Sequence, residues 1–199
     1  FKKNLRQKLR SSINHAEKNN FLVDYLEKPQ KSLLMEFYKL YRSRMKDLSS
    51  PKFYFFDYQL FQDHFVNFSE RCKLLLVKNL ESKIVAGAIF LCDPKSKIVH
   101  YHLSASSREG LKHQCNELLM TYAIFIFGKN GYKKMHLGGG IKYDESDGLS
   151  RFKRKFANKK NIFYITKLIC NSDLYFQTRS FYKLINREFF LIGDALEEN

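Results

Sequence analysis

Three stretches carry residue types and spacings that could do chemistry. In Arg151-Phe152-Lys153-Arg154-Lys155-Phe156, the apolar residues Leu149, Phe152 and Phe156 fall on one helical face and would anchor it. Lys153 flanks that face. An ammonium held near a cleft can steady negative charge developing on a carbonyl, or bind phosphate. Arg151 adds a second cation for binding, and the same run also reads as a solvated basic face. The second stretch is His136-Leu137-Gly138-Gly139-Gly140. Three glycines at a strand end allow positive φ and a close backbone approach to a ligand, or simply a tight turn. The triplet is neither a Walker loop, because no Gly-Lys-Ser/Thr follows, nor a dinucleotide fingerprint. The third stretch is Tyr101-His102-Leu103-Ser104-Ala105-Ser106-Ser107. A strand running into a helix aims free N–H groups and the positive helix end at one spot, which reads as a phosphate cradle or an ordinary cap.

Histidines add a proton route. His100 and His102 alternate along one strand, and His136 stands on a neighbouring one. His102 or His136 is a candidate general base. No carboxylate or Cys stands at ligand spacing beside them, so no metal site is expected. Gly-x-Ser-x-Gly does not occur, which leaves out a nucleophile elbow. The four cysteines, Cys72, Cys92, Cys115 and Cys170, form no Cys-x-x-Cys pair and read as reduced core thiols of a cytoplasmic protein.

The elements that must position these residues can be read from periodicity. Leu5, Leu9, Ile13 and Ala16 mark a basic helix over residues 1–19. Phe21 to Leu26 alternate like a strand, and helices follow over about 31–47 and 57–69. Lys73–Lys78, Ile84–Leu91 and Lys97–Leu103 are β-rich runs with short polar joints, an antiparallel meander. Ser106 and Glu109 have capping-box spacing for a long helix whose buried stripe is Leu111, Cys115, Leu118, Tyr122 and Ile126. A strand over 133–137, a basic helix over about 147–157, a strand over 162–170 and a helix over 173–186 complete the order. A meander followed by a strand–helix–strand crossover predicts an α+β fold, with a mixed sheet and helices on both faces.

Composition sets the outer limits. With 199 residues, of which 44% are hydrophobic, the chain suits one sizeable globular domain. Lys and Arg number 35 against 20 Asp and Glu, a net charge of +15 that favours nucleic acid, phosphate-bearing ligands or an acidic membrane face. No apolar run approaches the roughly 20 residues of a membrane span. Phe1 stands where an initiator Met would, as expected of a fragment.

Tyr101 to Ser106, Glu109-Gly110, Asn116-Glu117-Leu118-Leu119, Gly131-Tyr132, the glycine triplet and Leu149 to Phe156 occur together and in a familiar order. This series resembles the Fem-type (FemABX) peptidyltransferases and their GNAT-like acetyltransferase relatives. Tyr41 to Met45 and the aromatic run Phe53 to Tyr58 fit the same pattern, so the likeness covers nearly the whole chain. It implies a GNAT-like fold, with residues 1–20 as a basic connecting helix and 21–199 as the second such domain of a larger protein. It also implies transfer of an acyl or aminoacyl group onto an amine of a cell-wall or cell-surface polysaccharide precursor. The donor would be acyl-CoA or aminoacyl-tRNA, with no tightly bound cofactor. The implied partners are the cell-wall or amino-sugar precursor, tRNA and a peripheral membrane contact.

The Lys of the Phe-Lys-x-x-Phe motif maps to Lys153 and is implicated in the transfer step. Gly138, Gly139 and Gly140 would offer N–H groups to the carbonyl oxygen. Ser104, Ser106, Ser107, Asn116 and Arg151 would hold the donor. The Arg/Gln-x-x-Gly-x-Gly/Ala loop of ordinary GNAT enzymes is replaced by Ser-Ser-Arg-Glu-Gly-Leu at Ser106 to Leu111, which leans toward the Fem-type side. The competing reading is a non-catalytic basic module that binds RNA or polyanionic cell-surface intermediates.

Overall fold

Runs rich in Val, Ile, Leu and Phe make the sheet, and two short acceptor side chains make its tight joints. Asn79 Oδ1 accepts from the N–H groups of Glu81 and Lys83, and the Asp93 carboxylate accepts from those of Lys95 and Ser96. The computed structural model describes residues 7–140, 147–161 and 168–185. The chain divides into two compact units, Phe1–Asn158 and Lys159–Asn199. In the first, β1 (Leu22–Leu26), β2 (Cys72–Lys78), β3 (Ile84–Asp93), β4 (Ile98–Ser106) and β5 (Lys134–His136) lie in that order among the described residues. The first three junctions are antiparallel, and β4 pairs with β5 in parallel. A parallel pair needs a crossover. Here α4 (Arg108–Lys112) and α5 (Cys115–Lys129) supply it.

Helices cover both faces. On one, α1 (Gln7–Lys18) buries Leu9, Ile13 and Ala16 with Leu118 and Phe127 of α5, over Leu75, Val77 and Phe90 of the sheet. On the other, α2 (Lys31–Asp47) and α3 (Tyr58–Asn67) bury Leu34, Phe37, Tyr41 and Phe61 over Leu74, Leu76 and Ile89. The interior strand β2 is therefore buried from Cys72 through Val77. Its one charged residue there, Lys73, reaches Glu27 at 3.1 Å, as a buried ammonium requires.

Several expectations are corrected by the structure. The helix cap is Ser107, whose Oγ accepts from Gly110 N–H at 3.0 Å, so no Ser106–Glu109 capping box forms. Ser106 still belongs to β4, and Glu109 accepts from the Asn79 side chain instead. The expected long helix is broken because Gln114 adopts a left-handed φ of 60°. The break turns Leu111 out to 41% exposure, and the buried stripe becomes Cys115, Leu118, Leu119, Ala123 and Phe127. Tyr122 and Ile126 are half-buried. On α3, Phe61 and His64 are buried, whereas Leu60 and Phe68, the residue just past its end, are exposed. Cys72, Cys92 and Cys115 are buried free thiols, but Cys170 is exposed. Residues 168–170 are irregular rather than the end of a strand. Residues 1–6 of the expected first helix, 162–167 of the expected strand and the last residue of the 173–186 helix lie outside the described residues.

In the second unit, α7 (Ser172–Ile185) starts at Asn171, whose side-chain oxygen accepts from Leu174 N–H at 2.9 Å.

Candidate functional site

One extra residue in β4 organises the site. Ile89 pairs with Leu103 and Phe90 with Tyr101, so His102 has no partner on β3 and forms a bulge. In an unbroken strand Tyr101 and Leu103 would share a face. Here Val99 and Tyr101 join the core under α5, whereas Leu103 and Ala105 join the core under α2 and α3. The shift puts Ser104 and Ser106 on the α5 side with Tyr101. There Ser106 Oγ donates to Asn116 Oδ1 at the start of α5. His100 and His102 face the α3 side.

The two parallel strands then part. β5 pairs with β4 only over Ile98, Val99 and His100. From Tyr101 onward the β4 edge has no strand partner on that side among the described residues, and the chain beyond β5 runs into the glycine triplet. Gly138 has a φ of +71°, which favours a residue without Cβ. A Cβ at Gly140 would overlap the Asp147 carboxylate. That carboxylate caps α6 (Gly148–Arg154), accepting from Leu149 and Ser150 N–H at 3.0 and 3.3 Å.

The helix α6 delivers Lys153. Phe152 and Phe156 meet edge-on at 5.3 Å and pack against the core under α5. Lys155 pairs with the buried Glu117 of α5 at 2.7 Å. With its helix tied in this way, Lys153 Nζ donates to Gly139 O at 2.6 Å and lies 6.0 Å from the Tyr101 ring centre. An ammonium has three donors, and among the described residues this bond engages one of them. Burial lowers the Lys153 pKa, and the Asp147 charge opposes that shift. Burial pushes the Tyr101 phenol up to about 12, the Ser104 hydroxyl opposes and Glu117 adds, so the phenol remains a neutral O–H. The gap between β4 and the triplet thus holds the Lys153 ammonium beside the Tyr101 ring and the Gly139 carbonyl. An ammonium placed there suits an anion or a carbonyl oxygen gaining charge.

On the opposite face four imidazoles stand in a row. His136 and His100 approach at 2.8 Å between their Nδ1 atoms. The His100 ring centre is 5.8 Å from that of His102, which is 4.9 Å from that of His64 on α3. Burial, then the His136 and Lys153 charges, lower the His100 pKa against an opposing His136 backbone contact. Burial, then His64 and His100, bring His102 down to about 4. Both rings are therefore neutral bases at neutral pH. Burial pushes the Cys72 and Cys115 thiols up to about 12, which makes them inert.

The structure brings Lys153 and Ser104 to Tyr101, Gly138 and Gly139 to the Lys153 ammonium, and Gly140 to the Asp147 cap of the same helix, and sets His102 and His136 on the other side of the sheet. Ser106 and Asn116 bond each other, and Ser107 spends its hydroxyl on the cap. Arg151 is exposed on α6. Sequence reasoning missed Tyr101, Glu117, Asp147, Lys155, His64 and the role of His100. The available signals were Asp147 ahead of Gly148-Leu149-Ser150, which reads as an N-cap, and Glu117 inside an apolar helix. Among the described residues no group of three or more His, Cys, Asp or Glu could hold a metal. No described helix is long and apolar enough to cross a membrane.

No family model and no curated protein matches the chain. Solved structures do. L-PGS from Bacillus licheniformis superposes with a TM-score of 0.58 at 17% identity, over 76% of this chain and 50% of that one. FemX gives 0.61 at 13% identity, over 77% and 54%. The aminoglycoside acetyltransferase meta-AAC0020, from an uncultured soil metagenomic sample, gives 0.55 at 15% identity, over 76% and 99%. The chain thus spans about half the length of L-PGS and FemX, and nearly all of the aminoglycoside enzyme. At these identities the likeness is one of architecture: the chain has an α+β GNAT-like fold.

Proposed function

We propose that this chain is an acyltransferase domain that moves an acyl or aminoacyl group onto an amine of a cell-wall or cell-surface precursor in the cytoplasm. The observation that carries the reading is Lys153. Its ammonium is held by Gly139 O over the Tyr101 ring, where β4 and β5 part. In this reading the donor's acyl carbonyl enters the opening. Lys153 and the amides of the glycine triplet stabilise its oxygen as the amine attacks. The α6 anchors, Asp147 and the Lys155–Glu117 pair, keep that ammonium in place. His136 or His102, on the opposite face, takes up the amine proton. Ser104 and the first-turn amides after Ser107 contact the donor. Both acyl-CoA and aminoacyl-tRNA are compatible with this set. The structural likeness to FemX and L-PGS, and the residues shared with the Fem-type pattern, support an aminoacyl donor and residues 1–20 as a connecting helix.

The test is thermal unfolding with excess acetyl-coenzyme A, with plain coenzyme A as control. Saturation at 100 times the dissociation constant adds roughly 2.7 kcal/mol, worth several degrees in a protein of this size. A rise places the donor site in this domain. Without a rise, the donor to assay is aminoacyl-tRNA. Whichever donor supports turnover, Lys153→Ala lowers kcat about 100-fold while the melting temperature holds within a degree or two. Unchanged turnover removes Lys153 from the mechanism.

The second reading, a basic module for RNA or polyanions, is favoured by the net charge of +15 and by exposed cations such as Lys18 and Lys112. It predicts RNA affinity that falls steeply with salt, and no turnover with either donor.

A further inference from the structure

His100 sits where the two strands part, and no role has yet been given to it. It is the last residue of β4 paired with β5, directly opposite His136. Their Nδ1 atoms are 2.8 Å apart, with the rings stacked at 5.0 Å between centres. That separation admits one proton. Two would collide, and none would set two lone pairs against each other. The contact therefore couples the tautomer of one ring to that of the other.

Which ring donates follows from the surroundings. The charged and titratable groups acting on His100 are His136 of β5 and Lys153 of α6. Those acting on its neighbour His102 are His64 of α3 and His100 itself. Each of these is an imidazole or an ammonium, and none is a carboxylate. His64 is fixed as well, because its Nδ1 lies 2.6 Å from the Leu60 carbonyl and so must carry the proton. A half-buried ring beside an ammonium and other imidazoles resists a further proton, whereas His136 is exposed.

We propose that His100 and His136 form a two-histidine base in which His100 is the positioning residue. Nδ1–H of His136 donates to Nδ1 of His100, so Nε2 of His136 carries a lone pair toward the acceptor amine. This inference rests on the acyl-transfer reading above. In that step the amine nitrogen bonds to the acyl carbon. The bond from that carbon to the donor's sulfur or oxygen breaks, and the bonding pair leaves with the donor atom. The N–H proton passes to Nε2 of His136, and the resulting charge strengthens the bond to His100. The pair then returns the proton to solvent, and the departing sulfur or oxygen takes one up.

The experiment is nitrogen-15 NMR of the imidazoles in the full chain near pH 8, without substrate. His136 should be protonated at Nδ1, the tautomer that is less common in water. His100→Asn places an amide oxygen where Nδ1 stands, and should keep that tautomer. His100→Leu removes the acceptor and should return His136 to Nε2–H. Finding Nε2–H on His136 in the unaltered protein overturns the proposal, even if the leucine variant does not fold. So does a leucine variant that folds and keeps Nδ1–H.

With the donor that supports turnover, His100→Leu should lower kcat about 100-fold with KM unchanged, and His100→Asn should restore it to within a few-fold. Equal losses in the two variants overturn the positioning role. No turnover with acetyl-coenzyme A or aminoacyl-tRNA sinks the acyl-transfer reading and the catalytic half of this proposal. The tautomer result would still stand by itself.

Discussion

Acidification should loosen the attachment of α3 to the sheet, and His102 sets the size of the effect. Its ring lies against His64 of α3, and burial and neighbouring bases hold its pKa at about 4 rather than the ordinary 6.5. Between those values the unfolded chain binds a proton at this site that the folded chain refuses. Stability is therefore fully present above pH 6.5 and falls as the pH drops toward 4. Each pH unit of that window is worth about 1.4 kcal/mol, so at pH 4.5 the loss approaches about 2.5 kcal/mol. Solvent at the partly open ring reduces it, and about 1 to 2.5 kcal/mol is the expected range. The assay is urea unfolding at pH 7.5 and 4.5, for the unaltered protein and for His102→Gln. Carboxylates that titrate in both proteins cancel in the double difference. The glutamine variant should lose about 1 to 2.5 kcal/mol less on acidification. An equal loss in both proteins would refute the assignment of this pKa to burial against α3.

Three further outcomes follow from the Lys155–Glu117 pair, from Gly110 and from Gln114. Lys155→Met should cost about 1 to 3 kcal/mol by chemical denaturation, because it leaves the buried Glu117 carboxylate without its ammonium; Glu117→Gln should cost less, since Lys155 is 48% exposed and returns to water. Gly110→Ala should destabilise by about 1 to 3 kcal/mol, since the new Cβ would overlap the Val85 carbonyl oxygen. Its melting temperature should fall by several degrees. Gln114→Gly should raise stability by about 0.5 to 1 kcal/mol by relieving a left-handed φ of 60° that Gln disfavours. An unchanged or lower urea midpoint would count against that account of the helix break.

Much of the sheet was legible because its signals are local. The joints at Asn79 and Asp93 are short, polar and clamped by their own side chains, and the runs between them are unmistakably β-rich. The helix carrying Lys153 was legible too, since Leu149, Phe152 and Phe156 repeat at helical spacing. Other features leave no local trace. Tyr101 to Ser106 keep the same alternation of types straight through the bulge. Only the pairing with β3 shows that Tyr101 and Ser104 share a face. The break at Gln114 is made by a residue type that ordinarily continues helices, so the adjacent Ser106–Glu109 spacing suggested a cap one residue early. His64 stands between Phe61 and Phe65 with nothing in its spacing to mark it, yet α3 turns it inward toward His102. Lone carboxylates such as Glu117 and Asp147 acquire meaning only once α6 is docked, and docking is a tertiary event.

The bulge at His102 also constrains how this chain can change. It acts as a phase shift: on one side of it odd-numbered residues of β4 look toward α5, and on the other side they look toward α2 and α3. Straightening the strand with His102 kept would cancel the shift and transpose everything downstream. Ser104 and Ser106 would then be pressed among Leu74, Ile89 and their neighbours, while Leu103 and Ala105 would stand where Asn116 now finds a hydroxyl. Deleting His102 removes the extra residue itself: Tyr101 and Leu103 become neighbours in the pairing they already hold with Phe90 and Ile89, and every later residue of β4 keeps its face. A one-residue deletion here is therefore expected to spare the binding groups of the upper half of β4 while taking one ring out of the histidine row.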